Sequence, residues 1–239
     1  SSNVSSPISG TWGIVSGNFV LAEGGTGTIH EYTGSVFSPF DFSQTTYNDN
    51  TTLGGGISAI TDIKHSWDEE RFYACDGSKI YQYTQTTGSL LASVNLERSV
   101  TPPGSLSPAN MIWKPAGDKL YISDGSSTKI EEYDAAVPFD VGSLSVSGIY
   151  DFSNSGGHSM NRINNFDFAP NGGWVIIEDR SLNTLFQFSL SSPWDITSVD
   201  GSLDDSFDYS SDVTSSGFVT GKAYFPIQQR VKDVEAGEY

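Results

Sequence analysis

The chain has 239 residues, of which 36% are hydrophobic and 13% aromatic, enough for one sizeable core. Its net charge of −17 would repel DNA or RNA and excludes nucleic acid from the expected partners. A single cysteine, Cys75, excludes an intrachain disulfide, and no apolar run is long enough to insert into a membrane. Cys75 lies in an apolar strand pattern and is predicted to be a small buried side chain.

One pattern recurs four times: an apolar strand that ends in an acidic residue, a polar turn, and a second strand that ends in an aromatic residue. The copies are FVLAE (19–23) with IHEY (29–32), FYACD (72–76) with IYQY (80–83), LYISD (120–124) with IEEY (130–133), and VIIED (175–179) with LFQF (185–188). The closing aromatic residues are spaced by 51, 50 and 55 residues. Such a period fits four short strands with their turns, which is one propeller blade.

Other parts of a blade recur around this hairpin. An upstream strand is predicted at 57–63, 110–113 and 163–168. After the hairpin comes a Pro-aromatic-Asp-aliphatic run, at 38–42, 138–141 and 192–196, whereas the second copy has TTGS at 86–89. The run predicts a turn followed by the outer strand, with its aromatic side chain filling the gap between blades.

The sequence therefore predicts an all-β fold, a β-propeller of four recognisable blades plus a partial fifth copy at 217–225. The last strands either complete the first blade, closing the ring, or form a reduced fifth blade, so four and five blades both stay open. We expect an N-terminal extension at 1–9 and a single propeller domain at 10–230. The first blade of that domain is expected to begin with a strand at 12–15. A polar tail at 231–239 contains the one weak helix candidate.

The runs LFQFSLSSPWDI (185–196), IYQY (80–83) and KPAGDKLY (114–121) resemble a propeller repeat of phage virion and marine bacterial surface proteins. The resemblance extends over about residues 10–225. It implies a propeller fold and a virion, extracellular or cell-surface location. It also implies other virion or surface proteins, or a host-surface glycan, as partners. Members of this family have no common assigned role, so the resemblance indicates fold better than function.

Four acidic residues occupy the same hairpin turn: Glu23, Asp76, Asp124 and Asp179. In the first interpretation, each carboxylate accepts backbone N–H groups of its own turn. In the second, four equivalent carboxylates meet near the ring axis and hold a cation such as Ca²⁺. The structural interpretation is favoured because a repeated Asp in a repeated turn needs no ligand, and no other cofactor is expected.

Trp67 lies in the charged turn WDEE (67–70) and is the candidate for an exposed ring that stacks on a sugar, while the other tryptophans are expected between blades. The three histidines have no metal-ligand spacing, and no nucleophile motif is present. We therefore predict a non-enzymatic propeller that acts in attachment, decoration or assembly on a virion or cell surface. The alternative is a calcium-dependent hydrolase of lactonase-like type that uses the turn carboxylates.

Overall fold

The computed structural model of this chain describes residues 7–13, 16–33, 46–85 and 94–209. Within these ranges, sixteen strands form four four-stranded antiparallel sheets, arranged as the blades of a β-propeller. The predicted all-β fold with four blades is confirmed. The described residues contain no helix long and apolar enough to cross a membrane. The partial fifth copy at 217–225 and the helix candidate in the tail lie outside the described residues.

Each blade uses four strands in chain order, and in the ranges described above three short 3-10 helices lie between strands. Blade 1 consists of β1 (Pro7–Trp12), β2 (Phe19–Glu23), β3 (Thr28–Thr33) and β4 (Thr46–Thr52). Blade 2 consists of β5 (Asp62–His65), β6 (Arg71–Cys75), β7 (Ile80–Thr84) and β8 (Asn95–Val100). Blade 3 consists of β9 (Asn110–Trp113), β10 (Lys119–Ser123), β11 (Lys129–Ala135) and β12 (Leu144–Asp151). Blade 4 consists of β13 (Asn165–Phe168), β14 (Trp174–Asp179), β15 (Thr184–Ser189) and β16 (Asp205–Asp208).

The first strands of successive blades, β1, β5, β9 and β13, contact one another and form the inner side of the propeller. The second and third strands lie between two other strands and are mostly buried on both faces. This burial explains the nearly continuous apolar sequences of the second strands, whereas the third strands also bury polar side chains such as Glu31, Gln82 and Glu131. The fourth strands form the outer edge, where side chains are mostly exposed.

Among the residues that the structure describes, three apolar clusters join the blades. One lies between blades 1 and 2, around Ile29 and Phe72, and one lies between blades 2 and 3, around Tyr73 and Leu120. The third, between blades 3 and 4, includes Phe188. We call the side of a blade that meets the next blade its forward face and the opposite side its rear face. In the described part of the chain, no fourth cluster joins blade 4 to blade 1.

Two predicted boundaries are wrong. The first strand begins at Pro7 and ends at Trp12, so it uses part of the expected N-terminal extension rather than 12–15. The strand expected at 57–63 begins only at Asp62. Ile57 and Ile60 are buried in the connection that precedes it, and their apolar spacing resembled a strand.

Candidate functional site

The aromatic residue of the Pro-aromatic-Asp-aliphatic run fills the gap between blades, as predicted. Phe139 and Trp194 are each 8% exposed and belong to the clusters between blades 2 and 3 and between blades 3 and 4. Both adopt a positive φ, 60° and 62°. Each ring lies against a glycine, Gly117 or Gly172, at which an added Cβ would overlap the ring. The equivalent run of blade 1, at 38–42, lies outside the described residues.

Two hydrogen bonds fix this turn between blades 2 and 3. The Tyr73 hydroxyl, from the forward face of blade 2, donates to the carbonyl oxygen of Phe139 at 2.6 Å. The Val141 amide donates to Oε1 of Gln82 at 2.9 Å. Burial raises the pKa of Tyr73 far above its ordinary value, so its hydroxyl stays protonated and remains a donor.

The same pair of bonds recurs between blades 3 and 4. The Tyr121 hydroxyl donates to the carbonyl oxygen of Trp194 at 2.5 Å, and the Ile196 amide donates to Oε2 of Glu132 at 2.8 Å. The other carboxylate oxygen of Glu132 accepts from Nζ of Lys119 at 2.5 Å. The sequence repeats Tyr at one position and Gln or Glu at the other, but their partners lie in the next blade and the pattern within one blade does not predict them.

The contact between blades 1 and 2 has other polar bonds. Val20 stands at the position of the interface tyrosine, and Glu31 stands at the position of Gln82 and Glu132. Glu31 is fully buried and accepts from the side-chain amides of Asn18 and Asn48, at 3.0 and 2.9 Å. Both asparagines belong to blade 1 or its loops, so in these bonds Glu31 stabilises its own blade.

Asp62, at the start of β5, connects three blades. Its carboxylate accepts from the Ser9 hydroxyl of blade 1 at 2.6 Å and from the Met111 amide of blade 3 at 3.0 Å. Nζ of Lys64 lies 3.6 Å from it. Asp62 is 1% exposed. Sequence analysis missed this residue because its partners lie about fifty residues away in both directions.

The turn carboxylates accept hydrogen bonds locally. Oδ1 of Asp76 accepts from the Ser78 amide and hydroxyl and from the Lys79 amide, and Oδ2 accepts from Tyr81 at 2.8 Å. Burial alone would raise the pKa of Asp76, but these hydrogen bonds outweigh it and hold the pKa below its ordinary value. Asp124 accepts from the amides of Ser126 and Ser127 in the equivalent turn.

Asp179 and Glu23 differ from the other two. Asp179 is fully buried, and it accepts from Ser181 in its own turn and from the amides of Asn161 and Arg162 in the preceding connection. Oε2 of Glu23 lies 3.8 Å from Nε2 of His30. Among the residues that the structure describes, no three His, Cys, Asp or Glu side chains form a group that could hold a metal ion. The four turn carboxylates therefore do not form such a group.

Trp67 is half-buried and packs against the apolar cluster between blades 2 and 3. The exposed position predicted for Trp67 is therefore wrong, because its ring helps to cover that cluster. Trp113 and Trp194 are buried between blades, as expected for inter-blade aromatic residues. Cys75 is fully buried, as predicted from its apolar strand.

A further candidate surface lies on the outer strands, which sequence analysis did not single out. Large apolar side chains are exposed on three of them: Leu96 on β8, Val146 and Ile149 on β12, and Phe207 on β16, with exposed fractions of 40, 47, 45 and 54%. The apolar residues of LSVSGIYD (144–151) were the available sequence signal. Exposed strand edges with apolar side chains are surfaces on which other chains bind.

No family model and no curated protein matches the chain. Solved structures do share its fold. A "putative 6-phosphogluconolactonase" from Bacteroides uniformis has a TM-score of 0.55 and 13% identity, over 83% of this chain and 53% of its own. One of the same name from Bacteroides fragilis has a TM-score of 0.52 and 15% identity, over 80% and 51%. A protein from Lactobacillus plantarum has a TM-score of 0.53 and 11% identity, over 89% and 57%.

The chain thus spans about half the length of these structures. At such low identity the likeness shows the propeller fold and nothing finer about the site.

Proposed function

We propose that this chain is a non-enzymatic β-propeller that acts in attachment, decoration or assembly on a virion or cell surface. The observation that carries the proposal is the set of exposed apolar side chains on the outer strands of blades 2, 3 and 4. Host-surface glycans and other virion or surface proteins are the proposed partners.

Three acidic side chains, the buried Asp62 and the half-buried Asp76 and Asp124, support a binding role rather than catalysis. Asp62 accepts hydrogen bonds from two neighbouring blades, and Asp76 and Asp124 accept bonds from their own turns. A catalytic carboxylate must face substrate in a cleft. The hydrogen bonds of these three carboxylates instead stabilise the fold.

The test uses the purified chain, labelled with a fluorophore, on host cells, on a glycan array and on isolated virion proteins. A double variant, Val146→Lys with Ile149→Lys, places two charges on β12. We expect saturable binding of the unaltered chain and about tenfold weaker binding of this variant, because charge disrupts an apolar contact.

The matched control is Val137→Lys with Leu182→Lys, which changes two exposed apolar residues that lie in turns. Its binding should equal that of the unaltered chain. Failure of the unaltered chain to bind any of the three targets would contradict the proposal, and so would equal binding by the β12 variant.

A calcium-dependent, lactonase-like hydrolase is the second candidate. It is favoured by the names of the two Bacteroides proteins that share the fold. The assay is hydrolysis of lactones and esters in the presence of calcium and then of a chelator. Turnover that the chelator abolishes would support the hydrolase. No turnover, together with no heat on titration with calcium, would eliminate it.

A further inference from the structure

The closing aromatic residue of blade 1 is less covered than its three copies. Tyr83, Tyr133 and Phe188 are each 0% exposed, whereas Tyr32, at the same place in the repeat, is half-buried. The Tyr83 hydroxyl donates to the carbonyl oxygen of Gly54, in the connection that leads from blade 1 to blade 2, at 2.8 Å. In the part of the chain that the structure describes, the Tyr32 hydroxyl has no such acceptor.

A second tyrosine stands directly opposite Tyr32 on the outer strand. Tyr32 of β3 pairs with Tyr47 of β4, which is also half-buried. The two ring centroids are 5.5 Å apart, and the ring planes meet at 70°, edge to face. Opposite the closing tyrosines of blades 2 and 3 stand Leu96 and Val146. Blade 1 therefore has a pair of partly accessible flat rings where those blades have one covered ring and an aliphatic side chain.

Two polar side chains share this face with the tyrosine pair. Ile29 packs towards blade 2, so alternation along β3 places His30 and Tyr32 on the rear face of blade 1. His30 stands opposite Asn50, and its ring centroid lies 6.3 Å from that of Tyr47. Asn50 is exposed, and its Nδ2 donates to the Tyr47 hydroxyl at 2.9 Å.

The ring nitrogens of His30 are the unusual feature of this face. His30 is 5% exposed, and among the described residues neither Nδ1 nor Nε2 has a hydrogen-bond partner. Nε2 lies 3.8 Å from Oε2 of Glu23, which is beyond hydrogen-bond distance. A buried polar group without a partner is costly and calls for a bound group that supplies one. A ligand hydroxyl beside Tyr47 would do so.

The chemistry of this face suits a sugar better than a protein. Strand β4, TYNDNTT, contains no Ala, Val, Leu, Ile or Met, whereas the core of a protein interface is apolar. A pyranose has a C–H face that packs on an aromatic ring and hydroxyls that need donors and acceptors. Glu23 and Asp49 lie near the tyrosine pair in a chain of net charge −17, which disfavours an acidic sugar.

We propose that Tyr32, Tyr47, His30 and Asn50 form a binding site for a neutral pyranose sugar. The C–H face of the sugar packs on the tyrosine pair, and its hydroxyls bond to the Asn50 amide and to a ring nitrogen of His30. This inference rests on the proposed function, and it gives the glycan partner a place on blade 1.

The test is saturation-transfer NMR and titration calorimetry on the full chain. The probes are the methyl glycosides of glucose, galactose, mannose and N-acetylglucosamine, with those of glucuronic acid and N-acetylneuraminic acid as acidic counterparts. We expect saturable binding of at least one neutral glycoside and none of the acidic ones. Tyr47→Leu, which introduces the residue found at this place in blade 2, should weaken binding about tenfold because the flat ring is lost.

The matched control is Phe207→Leu, which changes an exposed aromatic residue on the outer strand of blade 4 in the same way. Its sugar affinity should equal that of the unaltered chain. His30→Phe keeps a ring and removes both nitrogens. It should weaken sugar binding about tenfold without lowering stability in urea unfolding, because those nitrogens have no partner in the described part of the chain.

Four results would overturn the proposal: no saturable binding of any neutral glycoside, binding of the acidic glycosides alone, unchanged affinity in Tyr47→Leu, or an equal loss in Phe207→Leu. Unchanged affinity in His30→Phe would remove His30 from the site. A chain that binds host cells or virion proteins but none of these sugars would refute this site and leave the proposed function standing. A chain that binds none of these targets would refute both.

Discussion

The contacts between blades are built in two ways. Between blades 2 and 3, and again between blades 3 and 4, a tyrosine hydroxyl and a Gln or Glu side chain hold the Pro-aromatic-Asp turn of the next blade. Between blades 1 and 2, Val20 replaces the tyrosine and Glu31 binds two asparagines of blade 1 or its loops.

The repeat therefore encodes a contact between neighbouring blades, here called a junction, as well as a blade. The first, second and third junctions join blades 1 and 2, blades 2 and 3, and blades 3 and 4. Each junction has one half on the forward face of a blade and the other half in a turn of the blade that follows. The second copy lacks the turn motif, and blade 1 lacks the tyrosine that would receive it. Both halves are therefore absent from the same junction.

The largest expected effect comes from Asp62, which is common to the first two junctions. Asp62→Ala should lower the free energy of unfolding by about 3–5 kcal/mol, because it leaves the Met111 amide without its carboxylate acceptor. Urea unfolding measures this loss. Asp49→Ala, on the exposed outer strand of blade 1, is the control and should cost less than about 0.5 kcal/mol. Equal losses would show that Asp62 does not connect the blades.

Gly172→Ala tests the aromatic residue of the third junction. A Cβ at Gly172 would lie 2.2 Å from Cδ1 of Trp194, and φ there is +70°. Overlap and strain together should cost about 2–4 kcal/mol in urea unfolding. Gly157→Ala has a similar φ of +74° with nothing within 4 Å, so it should cost only about 1 kcal/mol. A cost no larger than that of Gly157→Ala would contradict the packing of Trp194.

Tyr121→Phe removes only the hydroxyl of the third junction. The carbonyl oxygen of Trp194 then loses its donor, and we expect a loss of about 1 kcal/mol in thermal or urea unfolding. Tyr47→Phe, which removes an exposed hydroxyl from an outer strand, should change stability by less than about 0.5 kcal/mol. If the two variants are indistinguishable, the tyrosine bond does not stabilise the junction.

The smallest effect concerns pH and blade 3. Glu131 accepts from Ser105, Leu106 and Tyr133; burial would raise its pKa, but these bonds hold the pKa below its ordinary value of 4.5. The folded state thus binds the proton less tightly than the unfolded state. The contribution of Glu131 is present above about pH 4.5 and is lost as pH falls through the lower folded-state pKa. Glu131→Gln should reduce the fall in the free energy of unfolding as the pH is lowered, measured by urea unfolding at several pH values. An unchanged dependence of this free energy on pH would contradict the role given to Glu131.

The sequence predicted what is local. The hairpin of blade 2 follows the expected pattern, with β6 ending at Cys75 and β7 beginning at Ile80, because alternation and turn residues act over short distances. Phe139 and Trp194 were predicted between blades because a large aromatic residue after a proline turn needs a cavity to fill.

What the sequence did not predict is non-local or weakly patterned. The partners of Tyr73 and Gln82 lie about sixty residues ahead, and no local pattern reveals them. The outer strand β8, NLERSV, is polar because it lies at an exposed edge, so it carries no hydrophobic period. The sequence also could not predict whether the turn carboxylates lie close together, because their separation depends on how the blades are arranged.

Native-state hydrogen exchange tests the comparison of the junctions most directly. Blade 3 has the tyrosine-held turn on both sides, whereas blade 1 has neither half of it towards blade 2. We expect the amides of β10 to exchange most slowly and those of β2 clearly faster under the same conditions. Protection of β2 equal to or greater than that of β10 would contradict the account.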